Sequence, residues 1–219
     1  MRIVLTGTEA STRLLAAELA AEGLDVAACP LVAVEPLPGP PLRAETYDWL
    51  VLTSRNGVEV LYARLEGTLP RVAVVGPGTA AALRERGTEP ALVARVSTQE
   101  GLAAELPRPA GRVLFAGAED ARDVLVRELG ADFVPLYRTV ELVPERFPDA
   151  DLAVLASASA ARALAALGLG LPCVSIGPVT SAEARRLGLE VVAEAATHDR
   201  AGLVEAVKLA ASNAGSSPS

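Results

Sequence analysis

Small and hydroxyl-bearing residues recur wherever an apolar run of this chain meets a helical pattern. Thr6-Gly7-Thr8, Thr53-Ser54, Gly76-Pro77-Gly78-Thr79, Ala116-Gly117-Ala118, Ser157-Ala158-Ser159 and Gly177-Pro178-Val179-Thr180 each stand between a strand-like and a helix-like segment. Small residues let a ligand approach the backbone. Hydroxyls cap the helix that follows and can also donate outward. A helix start offers unpaired N–H groups and the positive end of the dipole, which favour a carboxylate or phosphate. Capping alone explains any one of these turns; their recurrence points to a lined anion-binding cleft. Arg13, Arg55 and Arg122 fall in or near first helical turns. A cation there opposes the dipole, so these arginines serve either solvent or a bound carboxylate, which guanidinium holds by charge-assisted hydrogen bonds. The candidate binding residues are therefore Thr6, Gly7, Arg13, Thr53, Ser54, Arg55, Gly76, Thr79, Gly117, Arg122, Ser157, Gly177 and Thr180.

One further residue has the chemistry of a proton donor. Tyr137 closes the last strand of the inner half of the chain, where the chain crosses back to its outer half. A phenol there either donates a proton or hydrogen bond to a ligand, or packs at a hinge with its hydroxyl in water. Other chemistries find little support. Gly76–Ala81 fits a G-x-G-x-x-A dinucleotide fingerprint, but its partner turn at Gly177 lacks the second glycine and no ribose-binding acid follows. There is no P-loop, no H-E-x-x-H and no Cys/His metal spacing. His198, the single histidine, reads as a surface residue beside Asp199, and no nucleophile elbow supports a triad through it. Cys29 and Cys173 read as buried thiols, too few for a disulfide framework.

The elements that must position these residues come in repeats. Asp48-Trp49-Leu50-Val51-Leu52-Thr53-Ser54 matches Asp151-Leu152-Ala153-Val154-Leu155-Ala156-Ser157 at an offset of 103. Gly76, Gly87 and Gly101-Leu102 match Gly177, Gly188 and Gly202-Leu203 at an offset of 101. A second match joins Arg2–Glu9 to Arg112–Glu119, each followed by a helix and a strand ending in Pro30-Leu31 or Pro135-Leu136. The short and long units alternate, so one domain is inserted into the other. Domain 1 joins residues 1–34 to 144–210, domain 2 spans 38–138, and 211–219 form a disordered tail. Two Pro-rich extended linkers, Val32–Pro41 and Thr139–Pro148, connect them. Val32-Ala33-Val34 and Thr139-Val140-Glu141 are suited to pair. Near-continuous apolar runs alternating with helical patterns indicate parallel sheets covered on both faces. The fold class is α/β, with two similar doubly wound, flavodoxin-like domains.

Composition bounds the partners. Of 219 residues, 51% are hydrophobic, enough for a core, and only 3% are aromatic. With a net charge of −7, this excludes a general nucleic-acid surface, which needs positive charge and stacking rings. Residues 163–182 carry no charge, but Gly168, Gly170, Pro172, Gly177 and Pro178 break them into turns and a strand, not a membrane span. The first residues read as a strand rather than a signal peptide, so a cytoplasmic protein is expected; a monomer is expected as well.

Several of these motifs together resemble the uroporphyrinogen-III synthases. They are Val51–Glu59, Val74–Ala80 with Gly87, Pro135-Leu136-Tyr137, Ile176–Thr180 with Gly188, and Ala195-Ala196-Thr197 with Gly202-Leu203. The resemblance covers nearly the whole chain to about Ala210, with Ala156 departing from the Thr53 pattern. It implies closure of the linear tetrapyrrole hydroxymethylbilane into uroporphyrinogen III, with loss of water and inversion of the last pyrrole ring. It further implies no cofactor or metal, a polycarboxylate substrate, a proton-donor role for Tyr137, and binding roles for Thr53, Ser54, Thr79, Ser157 and Thr180. Two rival classes are a two-lobed small-anion-binding protein and a nucleotide-dependent enzyme using Gly76–Ala81.

Overall fold

The computed structural model describes residues 1–214. The first half of the chain runs β1 (Arg2–Leu5), α1 (Glu9–Ala21), β2 (Asp25–Ala28), β3 (Val32–Pro36), β4 (Trp49–Leu52), α2 (Arg55–Arg64), β5 (Arg71–Val74), α3 (Pro77–Glu85), β6 (Leu92–Val93) and α4 (Gln99–Glu105). It continues with β7 (Val113–Ala118), α5 (Val124–Leu129), β8 (Asp132–Glu141), β9 (Leu152–Leu155), α6 (Ala158–Ala166), β10 (Cys173–Ser175), α7 (Pro178–Arg186), β11 (Val191–Glu194) and α8 (Arg200–Ala214). Two units result. Unit 1 holds Met1–Ala33 and the chain from Thr139 onward; unit 2 holds Val34–Arg138. The strands β3 and β8 carry the chain across this division.

The sheet of unit 1 has the order β11-β10-β9-β1-β2, with every pairing parallel. The second sheet has the order β3-β8-β7-β4-β5-β6, and β8-β7-β4-β5-β6 is parallel throughout. Leu37 N–H donates to the Leu136 carbonyl and Leu142 N–H to the Leu31 carbonyl, both at 2.8 Å. One index rises as the other falls, so β3 and β8 run antiparallel. If each short repeat unit supplies strands one and two and each long unit strands three to five, both sheets read 2-1-3-4-5. That is a doubly wound order whose direction of winding reverses between β1 and β9 in unit 1, and between β7 and β4 in unit 2.

Sequence dictates this because the central strands are apolar on both sides. Trp49–Leu52 and Leu152–Leu155 are buried at every position, as a sheet covered by helices on both faces requires. Alternate residues feed opposite cores. Leu50 and Leu52 pack with Val58, Leu61 and Leu83, whereas Trp49 and Val51 pack with Leu102, Leu106 and Phe115. In unit 1, Val4 packs with Leu164 and Cys173, and Ile3 and Leu5 with Leu19 and Val207.

Four local expectations change. Ala116-Gly117-Ala118 is not a turn but the end of β7, where the register with β8 shifts between Gly117 and Ala118. The helix after it begins only at Val124. Tyr137 does not end its strand, because β8 runs on to Glu141. Residues 211–214, read as the start of a disordered tail, are helical in α8; the remainder of that segment, 215–219, lies outside the described residues. The uncharged stretch at 163–182 is divided among α6, β10 and α7, and no helix among the described residues is long and apolar enough to cross a membrane.

Candidate functional site

The carboxyl ends of β4 and β7 meet at the winding reversal of unit 2, where doubly wound sheets bind ligands. Here β4 delivers Thr53 and Ser54, β7 delivers Gly117, and the neighbouring β8 delivers Tyr137. Ser54 has an extended backbone and accepts the Gly57 N–H at 2.9 Å, so it caps α2. Its oxygen also lies 2.8 Å from the Tyr137 phenol oxygen, joining residues 83 apart in the chain. Tyr137 is only 4% exposed. Its carbonyl accepts the Glu119 N–H at 2.8 Å, which ties it to the turn after β7.

Burial pushes the Tyr137 phenol above its ordinary pKa. The Ser54 hydrogen bond acts in the opposite direction, and the negative charge of Asp120 adds to the rise. The phenol therefore stays protonated at neutral pH and is available as a donor. Gly117 is buried, and a Cβ there would lie 3.7 Å from Thr53 Oγ1, so the two strand ends stand in close apposition.

Two residues of this locus escaped the sequence reading. A Cβ on Gly57 would lie 3.1 Å from Ser54 Oγ and 3.9 Å from Tyr137 Cε1, so glycine there leaves room for the pair. Its signal in the sequence is a poor helix former three residues after a cap. Asp120 follows β7 within a turn closed by Ala121 N–H to the Ala118 carbonyl at 3.0 Å. Nothing in the sequence separates it from other charged turn residues.

The remaining candidates are placed as follows. Gly76 and Thr79 lie at the end of β5, beside β4, with Thr79 buried in the first turn of α3. In unit 1, Gly7 and Ser157 stand at the ends of β1 and β9. Ser157 caps α6 by accepting the Ala160 N–H at 3.2 Å, and a Cβ on Gly7 would lie 3.6 Å from Ala156 Cβ. Gly177 and buried Thr180 follow β10. A Cβ on Gly177 would come within 2.7 Å of His198 Cδ2, so the histidine expected at the surface is half-buried against this turn.

Two expectations are corrected. The Thr6 hydroxyl, taken as an outward donor, is fully buried and donates to the Val154 carbonyl at 2.8 Å, bracing β1 against β9. The arginines split in behaviour. Arg55, the first residue of α2, donates to both carboxylate oxygens of Glu85 at 2.8 and 3.1 Å, and that contact raises its pKa. Arg122 lies before α5 rather than in its first turn and binds Glu100 in the same forked manner, which holds the Glu100 carboxyl below its ordinary pKa. Both thus hold the protein's own carboxylates. Arg13 is exposed on the second turn of α1. Among the described residues, no cluster of His, Cys, Asp or Glu could hold a metal ion.

Comparison with known proteins gives consistent matches. A family model described as Uroporphyrinogen-III synthase HemD matches residues 14–205. A protein of Methanocaldococcus jannaschii that carries a provisional uroporphyrinogen-III synthase name is 26% identical over 151 residues, 64% of this chain and 63% of that protein. The chain therefore spans somewhat under two thirds of that relative's length. Among solved structures, the fold is similar to uroporphyrinogen-III synthetase from Helicobacter pylori, with a TM-score of 0.66, 18% identity, and 97% of this chain and 100% of that one covered. It is also similar to a mutant uroporphyrinogen III synthase from Thermus thermophilus, with a TM-score of 0.63, 18% identity, and coverage of 97% and 99%. At these identities the structures speak for the fold, and the family model speaks for descent: the chain belongs to the uroporphyrinogen-III synthase family.

Proposed function

We propose that the chain catalyses its family's reaction. It closes hydroxymethylbilane into uroporphyrinogen III, with loss of water and inversion of the last pyrrole ring, as a cofactor-free lyase of tetrapyrrole biosynthesis. The observation that carries this reading is the buried, protonated Tyr137 phenol on Ser54 at the strand ends of unit 2. In the first step Tyr137 gives its proton to the hydroxyl of the substrate's hydroxymethyl group. The C–O bond breaks, water leaves and an azafulvene electrophile remains. The substituted α-carbon of the last ring attacks it to give a spiro intermediate, the bond from that carbon to its old methylene bridge breaks, and the ring's free α-carbon captures the released methylene, which inverts the ring. The proton lost from that free α-carbon as the last pyrrole recovers its aromaticity returns to the phenolate, so the residue is regenerated.

General-acid help of this kind contributes roughly 10²–10⁴-fold. Holding a flexible chain so that the inverted carbon attacks contributes up to about 7–11 kcal/mol. The positioning falls to Thr53, Thr79, Ser157 and Thr180, to the glycines that open the turns, and to Arg13. Arg55 and Arg122 serve by exchanging their exposed protein carboxylates for those of the substrate. Such exposed pairs are worth only about 0–1 kcal/mol, so exchange costs little. A monomer working in the cytoplasm fits this reading, with a polycarboxylate tetrapyrrole as its partner and no nucleic acid.

The test is to feed purified protein fresh hydroxymethylbilane without added cofactor, oxidise the products and separate the isomers. Predominantly type III porphyrin is the expected result. Only the spontaneous type I isomer, from a demonstrably folded sample, would refute the proposal and favour a small-anion-binding protein.

A further inference from the structure

Ser54 has two neighbours and one hydrogen. Its oxygen accepts the Gly57 N–H at 2.9 Å and lies 2.8 Å from the Tyr137 oxygen. The cap holds the side chain in place, because its oxygen must stay over the first turn of its own helix. Among the described residues, Ser54 is the one group hydrogen-bonded to the Tyr137 hydroxyl. In the resting protein either oxygen can be the donor. Once Tyr137 has released its proton, the phenolate can only accept, and Ser54 can only donate to it. The matching serine of unit 1, Ser157, caps α6 in the same way but has Ser159 beside it at 2.9 Å. There Val32 follows the Pro30-Leu31 pair, as Tyr137 follows Pro135-Leu136.

We infer that Ser54 is a positioning residue that acts through Tyr137: it donates to the phenolate formed when Tyr137 gives up its proton, rather than binding the substrate itself. This rests on the reading of Tyr137 as proton donor. The phenolate forms on a side chain that is only 4% exposed, where a lone anion is costly, and a single fixed donor offsets part of that cost. Burial and Asp120 oppose ionisation of Tyr137, and Ser54 is the group that favours it. The assignment changes the role of Ser54 from a substrate contact to a partner of the acid.

Two variants separate the hydrogen bond from the cap. Ser54→Gly removes the hydroxyl but keeps most of the capping preference, and Ser54→Thr keeps both. The first readout is the ultraviolet titration of phenol ionisation in ligand-free protein, with Tyr137→Phe subtracted to remove Tyr47 and Tyr62. Loss of a hydrogen bond to a charged group should move the Tyr137 titration up by about one pH unit in Ser54→Gly, and Ser54→Thr should restore it. The second readout is turnover of hydroxymethylbilane. Ser54→Gly should lower kcat about 10-fold with KM unchanged, and adding it to Tyr137→Phe should lower kcat no further. An unmoved titration would overturn the inference whatever the enzyme turns over. So would a raised KM together with a full additional loss in the double variant, the mark of a direct substrate contact. Absence of type III product from the unaltered protein would refute the functional reading alone, while the titration of the two variants still decides the hydrogen bond.

Discussion

The two winding reversals share one backbone plan and differ in chemistry. At both, a glycine at or after the end of the leading strand, Gly7 or Gly117, stands close to the end of the neighbouring strand, Ala156 or Thr53. At both, a serine caps the next helix, Ser157 or Ser54. Only unit 2 adds the Thr53 hydroxyl, the Tyr137 phenol and the Asp120 charge; unit 1 has Ala156 and Val32 at the positions of Thr53 and Tyr137. One sheet plan therefore supports two kinds of strand end. The unit 1 end offers hydrogen-bonding turns, and the unit 2 end also offers a buried phenol. The contrast reverses one strand away. Ser175, Ser181 and Glu194 of unit 1 form a hydrogen-bonded chain, whereas the repeat places Val74, Ala80 and Val93 there in unit 2.

Writing the residue of one unit into the other breaks the comparison most severely at Tyr137. Tyr137→Val should lower kcat by about 100-fold or more. It should also cost about 2–5 kcal/mol of stability through the cavity left by a buried ring, measured by initial rates and denaturant unfolding. The next effect tests what the units share. A Cβ on Gly101 or Gly202 would collide with the Val96 or Thr197 carbonyl. Gly101→Ala and Gly202→Ala should therefore each destabilise by about 1–3 kcal/mol, and a large inequality between their denaturation midpoints would show that the two turns are not equivalent.

Smaller effects sharpen the contrast. Ser181→Ala should cost about 1–3 kcal/mol by stranding its buried partner Ser175, whereas Ser175→Val with Ser181→Ala and Glu194→Val, the apolar solution of unit 2, should be closer to neutral. Cys173 has Val72 as its counterpart. Burial, with help from the Glu190 charge, pushes the Cys173 thiol up to about 12. The unfolded thiol ionises near about 8.5. A pKa raised on folding stabilises fully below the unfolded value, and that contribution is lost as pH rises through the folded one. Stability should fall between those two values, and Cys173→Val should flatten that alkaline decline in denaturation midpoints followed against pH. The smallest effect is expected at Arg55. Arg55→Ala should change stability by no more than about 1 kcal/mol while raising KM, the latter fading as salt rises.

Much of this plan was legible in the chain itself, because repetition marks position. The offset of 101 that aligns Gly76 with Gly177 also aligns Ser97 with His198, and each of these packs against the glycine of its own repeat. The parallel sheets were legible from uninterrupted apolar runs such as Trp49–Leu52. Side-chain direction was not. Thr6 looks like any hydroxyl at a strand end, yet its proton goes to Val154 on the next strand. The partners of Arg55 and Arg122 lie 30 and 22 residues away, beyond any local pattern. Gly117 reads as a turn because its neighbours are small, but pairing with β8 keeps it within β7. The Ser54–Tyr137 contact spans 83 residues and exists only once β4, β7 and β8 lie side by side.

The central claim is that proton transfer belongs to the strand ends of unit 2 alone. Its most direct test is kcat at saturating hydroxymethylbilane for Tyr137→Phe, which removes a single oxygen, measured beside Ser157→Ala from the matching end of unit 1. A loss of about 100-fold in the first, with residual type III product, and a loss of no more than about 10-fold in the second, as expected for a positioning hydroxyl, is the predicted result. Equal losses in both variants, or an unchanged kcat in Tyr137→Phe, would contradict it.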